Sequence, residues 1–296
     1  MKYLLGVLLL IFSAELSSAQ VNEYNQKKLR LYEDTLRKLN DTVLDGYNQH
    51  SRQTAIYSFI KTLVRALKAP DSFTYSFDSL KRISIQTAPD KSFRIFSWEL
   101  LLDNNDGYRY YGAIQMNNKK LELFPLFDYS THISDVQDTI TDNNKWFGVL
   151  YYNIVENKYF GKKYYTLFGW YGNNNSSTKK VIDILTFKDN KPVFGAPIID
   201  VKTKDKNQTF ARFVIEFKKD ASVHLNYDAS YKQIIYDHLV PESPGTVGIY
   251  STYIPDGSCE GFKFKRGKWR YVENVFTSKN KAVPFPAPVD FNKSKL

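Results

Sequence analysis

A chain of 296 residues, 43% hydrophobic and 24% charged, has the makeup of a folded protein long enough for one large domain or two small ones. Its net charge of +10 is a moderate basic excess. Its one cysteine, Cys259, excludes an internal disulfide and a thiolate metal cluster.

The N-terminus pairs Lys2 with an apolar run from Tyr3 to Ala14 and a small-residue motif, Ser17-Ser18-Ala19. This pattern predicts a secretory signal peptide over residues 1–19, cut between Ala19 and Gln20. The apolar run is shorter than the ~20 residues of a spanning helix. No cysteine follows Ala19, so the expected product is not a lipoprotein. The mature chain is expected to be soluble, periplasmic or extracellular, with no transmembrane segment. Nucleic acid is therefore not an expected partner.

Residues 20–70 carry helical periodicity. Leu29, Tyr32, Leu36, Leu39 and Val43 form one seam, which Asp45-Gly46 should stop, with Gly46 suited to a left-handed cap. Ile56, Phe59, Ile60, Leu63 and Leu67 form a second seam, ended by Pro70. Two seams and a short turn predict an antiparallel helical hairpin, which offers a surface for a protein partner.

Over residues 71–277 the period changes to two. "FRIFSWELLL", "YRYYGAIQM", "VIDILTF", "RFVIEF" and "KQIIYDH" read as strands, and turn signals at 103–107, 188–190, 218–220 and Arg266-Gly267 separate them. The fold class is mainly β, built of antiparallel meanders with an N-terminal α-helical hairpin. An echo at a 54-residue offset aligns Gly107 with Gly161 and Tyr110-Tyr111 with Tyr164-Tyr165. It fits either propeller-like repeats or two similar hairpins in a sandwich. Residues 278–296 form a tail rich in proline and lysine.

Between Trp146 and Tyr171, 11 of 26 residues are aromatic. Such a cluster can stack on sugars, but "YYTLFGWY" puts rings on both faces of one strand, as burial on both sides requires. Trp170 and Tyr171, nearest the polar loop with Asn173, are the rings expected to reach solvent and a glycan. In "GFKFKRGKWRYV", Phe262, Phe264, Trp269 and Tyr271 should face the core, leaving Lys263, Lys265, Lys268 and Arg270 outward. Such a face would attract an anionic envelope polymer.

"YYTLFGWYGNN", "VIDILTF", "PVFG", "IIYDHLVP" and "GFKFKRGKWRYV" together resemble a family of exported bacterial proteins of the Bacteroidota type, of unknown function. The resemblance spans roughly residues 90–275 and implies export and a β architecture. It transfers no catalytic or ligand residues.

Motifs for chemistry are sparse. His50, His132, His224 and His238 show no zinc spacing, no phosphate-cradling loop is present, and no cofactor is expected. "GSCEG" at 257–261 lacks a following helix, so it reads as a glycine-rich turn and not a nucleophile elbow. His238, next to Asp237, reads as structural. Glu99, Glu156 and Glu216 are the carboxylates a glycan hydrolase could assemble in space. The expected function is a non-catalytic binding or envelope-associated protein. A secreted glycan hydrolase and a structural envelope subunit are the alternatives.

Overall fold

Both helical seams form helices. In the computed structural model, which describes residues 23–102, 107–203 and 207–276, α1 spans Glu23–Asp45 and α2 spans Gln49–Leu67. The described chain divides into two compact units. One holds the helices, the segment up to residue 83 and residues 115–123; the other holds 84–114 and everything from 124 onward. The proposed signal peptide with its cleavage pair Ala19 and Gln20, most of the turn at 103–107 and the tail from 278 lie outside the described residues.

In the helical unit, Leu29, Leu36 and Val43 are fully buried at seven-residue spacing, while Tyr32 and Leu39 are only half-buried. The remaining places on the buried stripe go to the polar residues Asn25, Glu33 and Asn40. Glu33 accepts from the Ser79 backbone N–H at 2.6 Å and from the Tyr75 hydroxyl, and Asn25 donates to Asp71 at 2.8 Å. A carboxylate in the stripe thus ties α1 to the segment after α2. Asn48 caps α2 through a reciprocal box with Ser51. Gly46 ends α1 for a reason other than the expected left-handed cap. Its φ is not positive, but a Cβ there would sit 2.5 Å from the Thr42 carbonyl oxygen.

The strands form three sheets. The first, in the order β1-β2-β3-β4, contains β1 (Ser84–Thr87), β2 (Phe93–Leu101), β3 (Tyr108–Met116) and β4 (Leu123–Phe127). The second runs β5-β9-β8-β7-β6, from β5 (Thr141–Asp142), β6 (Leu150–Tyr159), β7 (Lys162–Tyr171), β8 (Ser177–Lys188) and β9 (Lys191–Phe194). The third contains β10 (Ile199–Lys202), β11 (Asn207–Phe210), β13 (Leu225–Asp228), β14 (Gln233–Pro241), β15 (Tyr253–Lys265) and β16 (Lys268–Val272). Its order is β11-β10-β16-β15-β14-β13, antiparallel except for the β10–β16 pair. The remaining strand, β12 (Phe213–Lys218), pairs with β8.

Type I′ geometry explains the tight turns. Asp189-Asn190 and Arg266-Gly267 all have positive φ, matching the right-handed twist of the strands they join. The 54-residue echo corresponds to two hairpins in different sheets, β2–β3 and β6–β7. The second and third sheets pack face to face, with Phe168, Ile182 and Ile184 meeting Ile234, Phe262 and Trp269 in one core.

β7 explains the density of rings. Residues 164–169 are buried without interruption. Tyr164 and Phe168 enter the core shared with the third sheet, and Thr166 accepts the Trp269 indole N–H at 2.9 Å. On the opposite face Tyr165 meets Phe93 edge-on at 4.8 Å, and Tyr171 stacks on Tyr110 at 5.2 Å, both rings of the first sheet. The second sheet is therefore covered on both sides, and the aromatic residues of β7 from Tyr164 to Phe168 are core.

Charge is buried at one point in that sheet. β9 pairs with β8 from Leu185 to Lys188 and β12 pairs with it from Ser177 to Ile182, leaving Asp183 and Ile184 between them. Arg212, immediately before β12, enters this gap. Its Nε lies 3.1 Å from the Asp183 carboxylate with both side chains fully buried, an ion pair by distance without hydrogen-bond alignment. Tyr151 donates to Asp183 at 3.0 Å, and Trp146 donates to the Tyr151 oxygen at 3.0 Å.

Gly169 gives a direct test of the packing, because a Cβ there would lie 2.0 Å from a Val149 methyl. Gly169→Ala should cost about 1–3 kcal/mol by overpacking. Val149→Ala in the same chain should restore part of the loss, as read by urea denaturation. A double variant as unstable as the sum of its singles would place the clash elsewhere.

Candidate functional site

Three regions of the β unit could meet a ligand. The first is the loop end of β7. Trp170 is half-buried, meets Tyr108 edge-on at 5.3 Å and has the Lys219 ammonium 6.0 Å from its ring centre. Tyr171 stacks on both Tyr110 and Phe147. The Asn173 amide donates to Ser177 at 2.6 Å and to Glu216 at 3.0 Å. The stacking surfaces and the amide are thus engaged within the fold. A pocket of about 220 Å³ beside them is lined by Leu101, Gly107, Tyr108, Asn174, Asn175 and Lys219.

Glu99 on β2 lies close enough to Tyr108 and Tyr110 to act on both phenols electrostatically. Its Oε2 is buried with no hydrogen-bond partner among the described residues. Burial pushes its carboxyl up to about 7.

The second region is the β15–β16 hairpin. Its register sets Lys263 opposite Arg270 and Lys265 opposite Lys268, with Phe262 opposite Tyr271 and Phe264 opposite Trp269 on the other face. The expected alternation holds. Like charges directly opposite repel, and the remedy was not visible locally. Asp200 arrives on β10 through the parallel pairing with β16 and lies 2.9 Å from Lys268 and 3.2 Å from Arg270. Burial opposes its ionisation, yet hydrogen bonds from Thr209 and Lys268 hold its carboxyl below the usual range. Lys263 and Lys265 are exposed and form no ion pair among the described residues. Lys202, two residues beyond Asp200 on the same strand face, is exposed as well.

The third region is a cleft of about 760 Å³ between β12 and the β14–β15 pair. Asp135, Glu216, Asp237 and Glu260 line it, with Lys179 and His238. It has no local sequence signature because its lining is gathered from separate segments between Ser134 and Glu260. A bulge shapes one wall. Asp237 pairs with Cys259 and Leu239 with Pro255, so one residue of β14 faces three of β15, where Gly257 has a φ of 89°. "GSCEG" is therefore part of a bulged strand and not the expected turn. The bulge brings His238 Nδ1 within 2.8 Å of Asp256 and its Nε2 within 3.9 Å of Glu260.

Glu260 accepts from the Tyr271 hydroxyl at 2.7 Å, and Glu216 accepts from Ser177 at 2.5 Å and lies 3.2 Å from Lys179. The Cys259 thiol is pushed up by burial and by Asp237, which leaves little thiolate at neutral pH. The three glutamates do not form a hydrolytic pair in one sheet. Glu156 on β6 and Glu216 on β12 are separated by β7 and β8, roughly 14 Å across the strands. Their register partners on β8's two sides place them some six residues, roughly 20 Å, apart along it. A glycosidase pair requires about 5–9.5 Å. Glu99 lies on a different sheet.

Among the described residues, no three His, Cys, Asp or Glu side chains converge as a metal set, and no helix is long and apolar enough to cross a membrane. Comparison of the chain with protein-family models and with curated proteins finds no match.

Glu99 yields a pH prediction. Unfolded, its carboxyl titrates near the ordinary value of 4.5, and folded near 7. The native state then binds more protons between those values, so stability falls as pH rises from about 4.5 to about 7. Glu99→Gln should gain stability over the parent at pH 8 and little at pH 4.5, with a difference on the order of 2–3 kcal/mol. Equal gains at both pH values would contradict a buried, neutral carboxyl.

Proposed function

We propose that this chain is an exported, non-catalytic binding protein that attaches to an anionic polymer of the cell envelope through the outer face of the β15–β16 hairpin. Export rests on Lys2, the apolar run and Ser17-Ser18-Ala19. The binding surface rests on one observation, the hairpin register that sets Lys263, Lys265, Lys268 and Arg270 on one face over a core of Phe262, Trp269 and Tyr271.

Asp200 refines that surface. By neutralising part of the Lys268–Arg270 charge it lets the cations sit side by side, and it leaves Lys263 and Lys265 as the cations open to a ligand. A row of cations along a sheet attracts phosphate or carboxylate groups without reading a specific sugar. Affinity comes from exposed charges and is screened over roughly 8–10 Å at physiological salt.

Two probes, polyphosphate and polygalacturonate, test this with the mature protein. Binding should fall steeply with added salt and should be lost in Lys263→Glu/Lys265→Glu, with its melting temperature unchanged. Undiminished binding by that variant would reduce the face to a solvated surface.

A further inference from the structure

We propose that the cleft beside β12 receives a short basic peptide in extended conformation, which adds as a strand to the free edge of β12. In the described structure β12 has one strand partner, β8. The Val214 N–H turns away from β8 and donates to the Gln137 side-chain oxygen at 3.3 Å. In an antiparallel strand every second residue turns both backbone groups to the same side. The N–H and C=O of Glu216 therefore face outward too, into the cleft that Val214, Ile215 and Glu216 line. No described group pairs with those two backbone groups.

The segment 134–137 closes the edge only at its start. The Ala211 and Arg212 N–H groups donate to the Gln137 carbonyl at 2.9 and 2.8 Å, and the Gln137 side chain then takes Val214. Beyond Val214 the edge is open as far as Lys218, whose carbonyl accepts from Ala221. That length, Ile215 to Lys218, is about 14 Å at about 3.4 Å per residue, enough for the middle of a peptide of four or five residues. The cleft volume lies within the usual range for ligand sites.

Charge selects the occupant. A chain with a net charge of +10 gathers four carboxylates here, Asp135, Glu216, Asp237 and Glu260, against one lysine, Lys179, and His238. The local sign is opposite to that of the whole molecule, so the cleft repels the anionic polymers suited to the hairpin face. Tyr250 and Tyr253 at the rim offer ring faces to lysine or arginine side chains. Main-chain pairing would supply affinity, and alternate basic side chains would supply selectivity.

The probe is acetyl-Lys-Thr-Lys-Thr-Lys-amide, compared with the same peptide carrying N-methylated alternate amides, with acetyl-Glu-Thr-Glu-Thr-Glu-amide and with spermidine. The unmodified basic peptide should bind at least tenfold tighter than the other three, and saturating peptide should slow amide exchange at Glu216. Asp135→Asn/Glu260→Gln should weaken it at least tenfold while the melting temperature holds. Equal binding of the N-methylated peptide or spermidine would reduce the cleft to a cation site without strand addition. Unchanged exchange at Glu216, or unchanged affinity in a folded Asp135→Asn/Glu260→Gln, would overturn the proposal outright.

Discussion

The Asp183–Arg212 pair is buried where one edge of β8 passes from pairing with β9 to pairing with β12. β8 gives one of its edges to two different strands, and in the gap between them the Ile184 carbonyl accepts from the Gly195 N–H and the Ile184 N–H donates to Asp183. Taking two charges out of water costs several kcal/mol per ion, so the pair is no simple source of stability. Its cost is offset by the groups it satisfies. Asp183 accepts from Tyr151 and from the Ile184 N–H, and Arg212 donates to the Val136 carbonyl at 2.7 Å and lies 5.3 Å from the Phe147 ring. Removing either partner would leave a charge buried without its counterion.

The pair also positions function. Arg212 holds residues 136–139, and that segment sets Gln137 against the start of β12. The closed and open parts of the β12 edge, and with them the cleft wall, follow from the anchor. The opposite face of the same sheet carries the second site indirectly. Phe168, Ile182 and Thr166 support Trp269 and Phe262, and those rings fix which face of β15–β16 carries lysines. A sheet covered on both sides is thus the common support of both surfaces.

The elements legible in the sequence were those set by local chemistry. The seams of α1 and α2, the positive-φ turns at Asp189-Asn190 and Arg266-Gly267, and the alternation of "FKFKRGKWRY" depend on neighbours a few residues away. What escaped depends on distant chain meeting in space. Asp200 reaches Lys268 and Arg270 through a parallel pairing that no hairpin pattern announces. The wide bulge opposite His238 looks like a turn because Gly257 and Gly261 are turn residues in most settings. Gly46 matched its expected place but not its expected conformation, since contact with Thr42 and not a left-handed φ requires it. The cleft combines residues from 134 to 260 and has no local signature.

A double-mutant cycle on Asp183→Asn and Arg212→Met, followed by urea denaturation, tests the anchor most directly. Each single change should cost about 3–5 kcal/mol, as expected for breaking a buried pair. The double variant should lose less than the sum of the two by about 2 kcal/mol or more, because neither leaves an orphaned charge when both are gone. Additive losses, or single variants within about 0.5 kcal/mol of the parent, would contradict it and leave the sheet held by apolar packing alone.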